Sequence, residues 1–255
     1  MRPSKSRGMG YALASAVVLI VWQVLAWLLD TRALPSPGET AGALAAGLRT
    51  GILPNLVVSA WRVLLATTLG LVVGAPAGLL MGRSRRLDSV AGPLVFLAYP
   101  VPKVVFLPVL LVMFGIGDAP KVALMALIVF FQILVTARDA ARAVSPSAVL
   151  SVQSLGASRW QGFRHVVVPA SLPAIFTALR VSTGTAIAVL FFSETVAGTD
   201  GLGWYIMDAW TRIAYADMFA GIVAMGFMGV AIYEVLEIAE SRLCRWTRAG
   251  RTDER

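Results

Sequence analysis

The side chains able to do chemistry are few and scattered. One histidine, His165, and one cysteine, Cys244, occur in 255 residues. A single imidazole excludes a multi-histidine zinc site, and a single thiol excludes an intrachain disulfide or a cysteine metal cluster. His165 adjoins Arg164 and reads as an interfacial side chain rather than a catalytic base, and Cys244 as an incidental thiol. There is no Gly-x4-Gly-Lys-Ser/Thr loop to hold ATP, no Gly-x-Ser-x-Gly elbow and no His-Glu-x-x-His pair. The nine methionines are dispersed, which suits packing rather than a metal path.

What remains is charge in apolar surroundings. Lys103 follows Pro100 and Pro102 in an apolar stretch. A charge at membrane depth is costly and faces a cavity or a partner, unless it snorkels to an interface. Glu194, in Ser193-Glu194-Thr195, lies 22 residues past Leu172. That is about 33 Å along a helix, hence near the outer surface. Two roles are open to it: shaping an outer gate, or standing as a carboxylate that is solvated or paired with Lys103 or Arg212. Glu234 and Glu237 share a helix face and suit pairing with basic loops.

These residues must be positioned by membrane-spanning elements. The chain is 58% apolar and 14% charged, against about 45–50% and about 25% for a soluble domain. Disorder and a soluble fold are both disfavoured, and an all-α polytopic membrane protein is expected. Six spans are predicted. The first is the charge-free run Tyr11–Leu29, too long for a cleaved signal core. The second covers about Leu56–Met81, the third Ser89–Phe114, the fourth Val122–Val135, the fifth Leu172–Phe192 and the sixth Met218–Ile238. Gly70, Gly74, Gly78 and Gly82 recur every four residues, so they form one stripe for close helix packing. Pro100 and Pro102 predict a break in the third span. Between the first two spans, Thr40–Leu48 can form a short helix. Gly201-Leu202-Gly203-Trp204-Tyr205 reads as an outer re-entrant turn with interfacial aromatics.

The net charge of +8 is topological rather than a nucleic-acid footprint. With six spans, 16 of the 22 bases fall on one side: Arg2, Lys5, Arg7, Arg83, Arg85, Arg86, Arg138, Arg142, Arg159, Arg164, Arg180, Arg242, Arg245, Arg248, Arg251 and Arg255. Both termini are therefore expected in the cytoplasm. The chain divides into residues 1–55 (N-terminus, first span, outer segment), a five-span core 56–243 with a cytoplasmic loop 138–169, and a basic tail 244–255.

That loop has readable punctuation. Ser145-Pro146 starts a helix, with Ser as cap and Pro at the first position. Gly156 ends it. Ser158 and Gln161 have capping-box spacing and start a second short helix, and Pro169 and Pro173 punctuate the entry into the fifth span. Leu150, Leu155, Trp160 and Phe163, rimmed by Arg159 and Arg164, either form a partner surface or pack on the chain's own membrane part.

The loop resembles the cytoplasmic signature of bacterial ABC importer permeases: Glu-Ala-Ala, three residues, Gly, nine residues, Ile-x-Leu-Pro. Gly156 and Pro169 match its Gly and Pro without a gap, with Val166 and Val168 at the Ile and Leu positions. Leu150, Ser151 and Val152 stand where Glu-Ala-Ala is usual, so the glutamate is absent. The resemblance spans about Leu34–Trp246 and is closest to the nitrate, sulfonate, taurine and bicarbonate branch. It is carried also by Leu34-Pro35-Ser36-Pro37, Phe114-Gly115-Ile116-Gly117-Asp118, Ser154–Arg159 and Gly201-Leu202-Gly203. Permeases for pyrimidine precursors of thiamine share the pattern.

The resemblance implies a type I ABC importer permease fold in a bacterial inner membrane. It implies a homodimer with two separate ATPase subunits, which bind ATP and Mg, and an extracytoplasmic solute-binding protein that sets most of the selectivity. No cofactor, metal or catalytic residue is expected in this chain. The ATPase-coupling residues it implies are Leu150, Ser151, Val152, Leu155, Gly156, Ser158, Arg159 and Trp160, with Pro169 closing the loop. Lys103 and Glu194 are pathway or gate candidates. The expected solute is small and anionic, such as a sulfonate, taurine, nitrate or bicarbonate. The alternatives are a thiamine-precursor pyrimidine, or a self-sufficient secondary transporter; the second lacks the repeat and midplane acids such folds carry.

Overall fold

A computed structural model describes residues 5–246. Arg2, Arg248, Arg251 and Arg255, counted above among the bases of one side, lie outside the described residues, as does most of the tail 244–255. Every regular element among the described residues is helical. In order they are α1 (Lys5–Leu29), α2 (Pro37–Gly47), α3 (Leu53–Arg83), α4 (Arg85–Ala98), α5 (Leu107–Phe114), α6 (Asp118–Ala143), α7 (Pro146–Ser154), α8 (Arg159–Gly162), α9 (Val168–Ala197), α10 (Leu202–Thr211) and α11 (Tyr215–Leu243). Five helical stretches are long and apolar enough to cross a membrane. The pair α4 and α5, bent by 84° at its break, brings the number of spans to six if it is one crossing. The all-α polytopic expectation and the break after Ala98 both hold.

The helices overrun their expected bounds. The fourth span was expected over Val122–Val135, yet α6 runs from Asp118 to Ala143. The fifth was expected from Leu172, yet α9 starts at Val168 and the chain is helical without interruption from Arg159. Pro169 therefore stands at the second position of α9, straight after the wide helical turn Phe163–Val167. Pro173 is within the helix rather than at its border, held by a face that buries Ser171, Ile175 and Phe176.

The chain divides into two compact units: Met1–Val58 with Thr199–Gly226, and Ser59–Gly198 with Phe227–Arg255. In the first, α2 starts at a full capping box in which Ser36 and Glu39 satisfy each other's backbone amides. Trp22 Nε1 donates to the Pro35 carbonyl at 3.0 Å, and its ring packs against Phe219 at a tilt of 32°. Asn55 donates to the Gly51 carbonyl and accepts from the Gly201 amide, both at 2.7 Å. The expected re-entrant turn at Gly201–Tyr205 is instead the start of a ten-residue helix, α10. Gly201, at φ 95°, forms its entry, and Leu202, Gly203 and Tyr205 are buried rather than interfacial.

In the second unit α6 is the central helix and packs along α9. Its other flank meets the glycine stripe of α3. A Cβ on Gly70 would come within 2.6 Å of Val129 Cγ1, and one on Gly74 within 2.8 Å of the Phe130 carbonyl. On Gly78 and Gly82 it would run into the Leu134 and Arg138 carbonyls. α3 thus lies directly on the α6 backbone, which only glycine permits. Leu107, Leu124 and Ile128 form a small core joining α5 to α6.

Candidate functional site

The loop after α6 is built by local chemistry. Pro146 occupies the first turn of α7, but Ser145 does not cap it as expected. Its hydroxyl shares a hydrogen bond with Ser147 Oγ at 2.5 Å instead. α7 ends in a Schellman motif: the Gly156 amide donates to Gln153 O at 2.9 Å and the Ala157 amide to Val152 O at 3.3 Å. Gly156 sits at φ 90°, which a side chain resists. α8 starts at the expected capping box: Ser158 Oγ accepts from the Gln161 amide at 3.2 Å, and Gln161 Oε1 accepts from the Ser158 amide at 2.7 Å.

This frame sorts the side chains. Val149 is buried and lies against Gly162. Leu150, Leu155 and Trp160 point outward, at 61%, 87% and 63% exposure. Trp160 stacks on Phe163, ring centres 5.4 Å apart. Ser151 and Arg159 are exposed beside them, and Val152 is half-buried. Three large apolar groups held outward on a capped helical hairpin form an apolar surface of the kind partners cover. His165 is exposed in the wide helical turn Phe163–Val167 that joins α8 to α9.

Beside the loop root, Asp88 in the first turn of α4 accepts from Arg138 at 2.5 Å and pairs with Arg142. These two arginines close α6 just before α7 begins, so one carboxylate ties α4 to the base of the loop.

The charged groups at membrane depth do not gather into one site. Glu194 is neither solvated nor paired with Lys103 or Arg212. It is fully buried, bonded to Arg62 at 2.7 Å and to Ser59 Oγ at 2.9 Å. Arg62, only 1% exposed, also donates through Nε to Asp118 at 2.7 Å. This cluster fastens α3, α6 and α9 together. Arg212, which caps the end of α10, pairs with Asp208. Glu234 and Glu237 are exposed and form no ion pair among the described residues, against the expectation of pairing. Glu240 is the acid on α11 that pairs, with Arg180 at 2.8 Å.

Lys103 stands at the break between α4 and α5. Its ammonium donates to the Tyr99 carbonyl and lies 4.7 Å from the Phe131 ring centre and 5.1 Å from that of Tyr99. Sequence reasoning singled out Lys103 and Glu194 but missed Arg62, Ser59, Asp118 and Asp88 as their counterparts or equivalents. The available signal was a single charge, Arg62, inside an apolar span.

Residues 66–248 match the family model described as "Binding-protein-dependent transport system inner membrane component". The chain is 31% identical to the taurine transport system permease protein TauC of Escherichia coli K12, covering 91% of this chain and 87% of that one. It is 28% identical to the putative aliphatic sulfonates transport permease protein SsuC of Bacillus subtilis 168, over 92% and 86%. Among solved structures, the inward-facing MetNI methionine ABC transporter superposes with a TM-score of 0.61 over 78% of this chain and 94% of that one, at 20% identity. Family model, relatives and fold agree, and the chain belongs to the binding-protein-dependent transport system inner membrane components, in the branch that contains the taurine and aliphatic-sulfonate permeases.

Proposed function

We propose that this chain is the membrane subunit of an ATP-driven importer for a small anionic solute such as a sulfonate, taurine, nitrate or bicarbonate. Two copies would form the pathway, with both termini in the cytoplasm. A soluble receptor would deliver the solute outside. Separate ATPase subunits would bind ATP and Mg and dock on the loop, so that this chain carries out no chemistry of its own. The observation that carries the reading is the outward apolar triad Leu150, Leu155 and Trp160, set on a Schellman turn and a capping box. Leu150 stands where the family glutamate is usual, so docking here rests on apolar contact. The sulfonate class is favoured by the named transport roles of the relatives. The test is the pair Gly156→Asp and Trp160→Ala. Loss of ATPase copurification and of ATP-dependent uptake is expected; if both survive, the docking role is wrong.

A further inference from the structure

Two opposite charges line one cavity of the first compact unit without pairing. The cavity holds about 700 Å3, and Gln23, Trp27, Asp30, Arg32, Glu39 and Tyr215 are among its walls. Asp30 and Arg32 are exposed, and neither side chain has a hydrogen bond or ion pair among the described residues. Arg62, Arg138, Arg180 and Arg212, by contrast, are all tied to acids. Glu39 gives one carboxylate oxygen, Oε2, to the Ser36 amide and hydroxyl and keeps Oε1 for another donor. The backbone of this wall is strained. Asp30 at φ 41° and Ile213 at φ 60° both border the cavity, and they are the two non-glycine residues with positive φ among the described residues. A β-branched residue resists that conformation, and strained backbone gathers at ligand clamps.

The place of the cavity narrows its ligand. The apolar window of α1 ends at Leu29, so Asp30 and Arg32 are the first charges beyond the hydrocarbon, at headgroup depth. Trp27, 73% exposed, suits that level. An apolar groove of about 460 Å3 adjoins the cavity, and Val17, Val21 and Leu25 of α1 line it. Leu34 is a wall of both cavity and groove. Along α11 the lining passes from Tyr215 and Ala216 in the cavity to Phe219, Ile222 and Val223 in the groove, in steps that keep to one helix face. We propose that cavity and groove together bind one phosphatidylethanolamine molecule. Its phosphate meets Arg32, its ammonium meets Asp30 and Glu39, and an acyl chain lies in the groove. The ammonium offers three N–H donors to these carboxylates. A choline headgroup has no N–H to offer, and a glycerol headgroup brings the carboxylates no cation. A free zwitterion would use the charges but leave the groove empty. α1 buries none of its apolar window within the chain, so this lipid supplies packing that α1 otherwise lacks. The site rests on the chain's place in the membrane and not on what it transports.

The test uses the full chain in phosphatidylcholine nanodiscs doped with one of three photoreactive lipids. These carry the same diazirine-bearing acyl chain on an ethanolamine, choline or glycerol headgroup, and their adducts are mapped by mass spectrometry. The ethanolamine lipid is expected to label residues 17–34 and 215–223 about tenfold more than either other lipid, the scale of one charge-assisted hydrogen bond. Asp30→Asn, which tolerates the same backbone conformation, and Arg32→Gln should each erase the preference, and Arg32→Lys should keep it. Soluble phosphoethanolamine at equal concentration should not compete. Equal labelling by the three lipids, a preference for the glycerol lipid, adducts confined to other segments, or a preference that survives either Asp30→Asn or Arg32→Gln would each overturn the site. Full competition by phosphoethanolamine would assign the cavity to a free zwitterion. A chain-to-chain adduct in place of the lipid adduct would assign the groove to a second copy. Either result also overturns the lipid site.

Discussion

Arg62 and Glu194 are both sequestered from solvent and bonded to each other, so removing either one takes a charged partner from a buried charge. Breaking a buried pair from one side costs about 3–5 kcal/mol, whereas replacing both partners with apolar groups is often nearly neutral. Glu194→Leu alone should therefore lower the thermal midpoint of the detergent-solubilised protein sharply, as should Arg62→Met alone. The double variant should recover much of the loss, although Asp118 and Ser59 then lose their partner. Additive losses in the double variant would show that the two side chains act separately. Cys244 behaves in the opposite sense. Its thiol is buried, and burial first, then the nearby Glu240 carboxylate, pushes its pKa above the usual thiol value. Raising a thiol pKa favours the neutral, unreactive form. Iodoacetamide should thus modify the folded protein more slowly than the unfolded chain at pH 8, with labelling rising at a higher pH; matched profiles would refute this. At this scale the sequence shows which charges are anomalous but not what they meet. Arg62 and Glu194 are 132 residues apart, and no local spacing pairs them.

The glycine stripe of α3 was legible because four glycines at constant spacing occupy one face whatever the fold, but its partner was not. α6 emerges as that partner through the carbonyls of Phe130, Leu134 and Arg138. Gly78→Ala forces a methyl into the Leu134 carbonyl, and overpacking of this kind costs about 1–3 kcal/mol. Gly226→Ala, whose Cβ would meet nothing within 4 Å, serves as the control and should be neutral or slightly stabilising. Comparable thermal midpoints for the two variants would remove the close-packing argument. Helix ends were read less well than helix positions. The proline pair at Pro169 and Pro173 signals a boundary in isolation, yet α9 runs through both, with Pro169 straight after the wide turn Phe163–Val167 and the buried face continuing at Ser171, Ile175 and Phe176. The loop caps were read well where side chain and amide lie three residues apart, as at Ser158 and Gln161. They were misread at Ser145, where a neighbouring hydroxyl competes for the cap.

Across the whole chain the fold class and number of spans follow from apolar length, while the packing of distant segments does not. Gly201 reaching Asn55 across 146 residues is set by tertiary geometry alone. The tie between Asp88 and the arginines closing α6 is another such contact, and it has a mechanical consequence under the importer reading. Force applied by an ATPase at Leu150–Trp160 enters α6 at Arg142 and Arg138. Asp88 passes it to α4, and α4 ends at the break that carries Lys103. Asp88→Asn keeps the side chain's shape but weakens both charged contacts. Partly exposed pairs contribute up to about 1 kcal/mol each, so the tie should loosen by roughly tenfold rather than vanish. Under the importer reading docking is carried by Leu150, Leu155 and Trp160, so copurification and ATP hydrolysis should stay near the parent level. Solute moved per ATP should fall several-fold, because the loop then moves without carrying α4 with it. Uptake and hydrolysis declining in parallel would place Asp88 in docking or folding instead, and an unchanged ratio would mean that α4 receives its displacement through the glycine-packed α3–α6 contact.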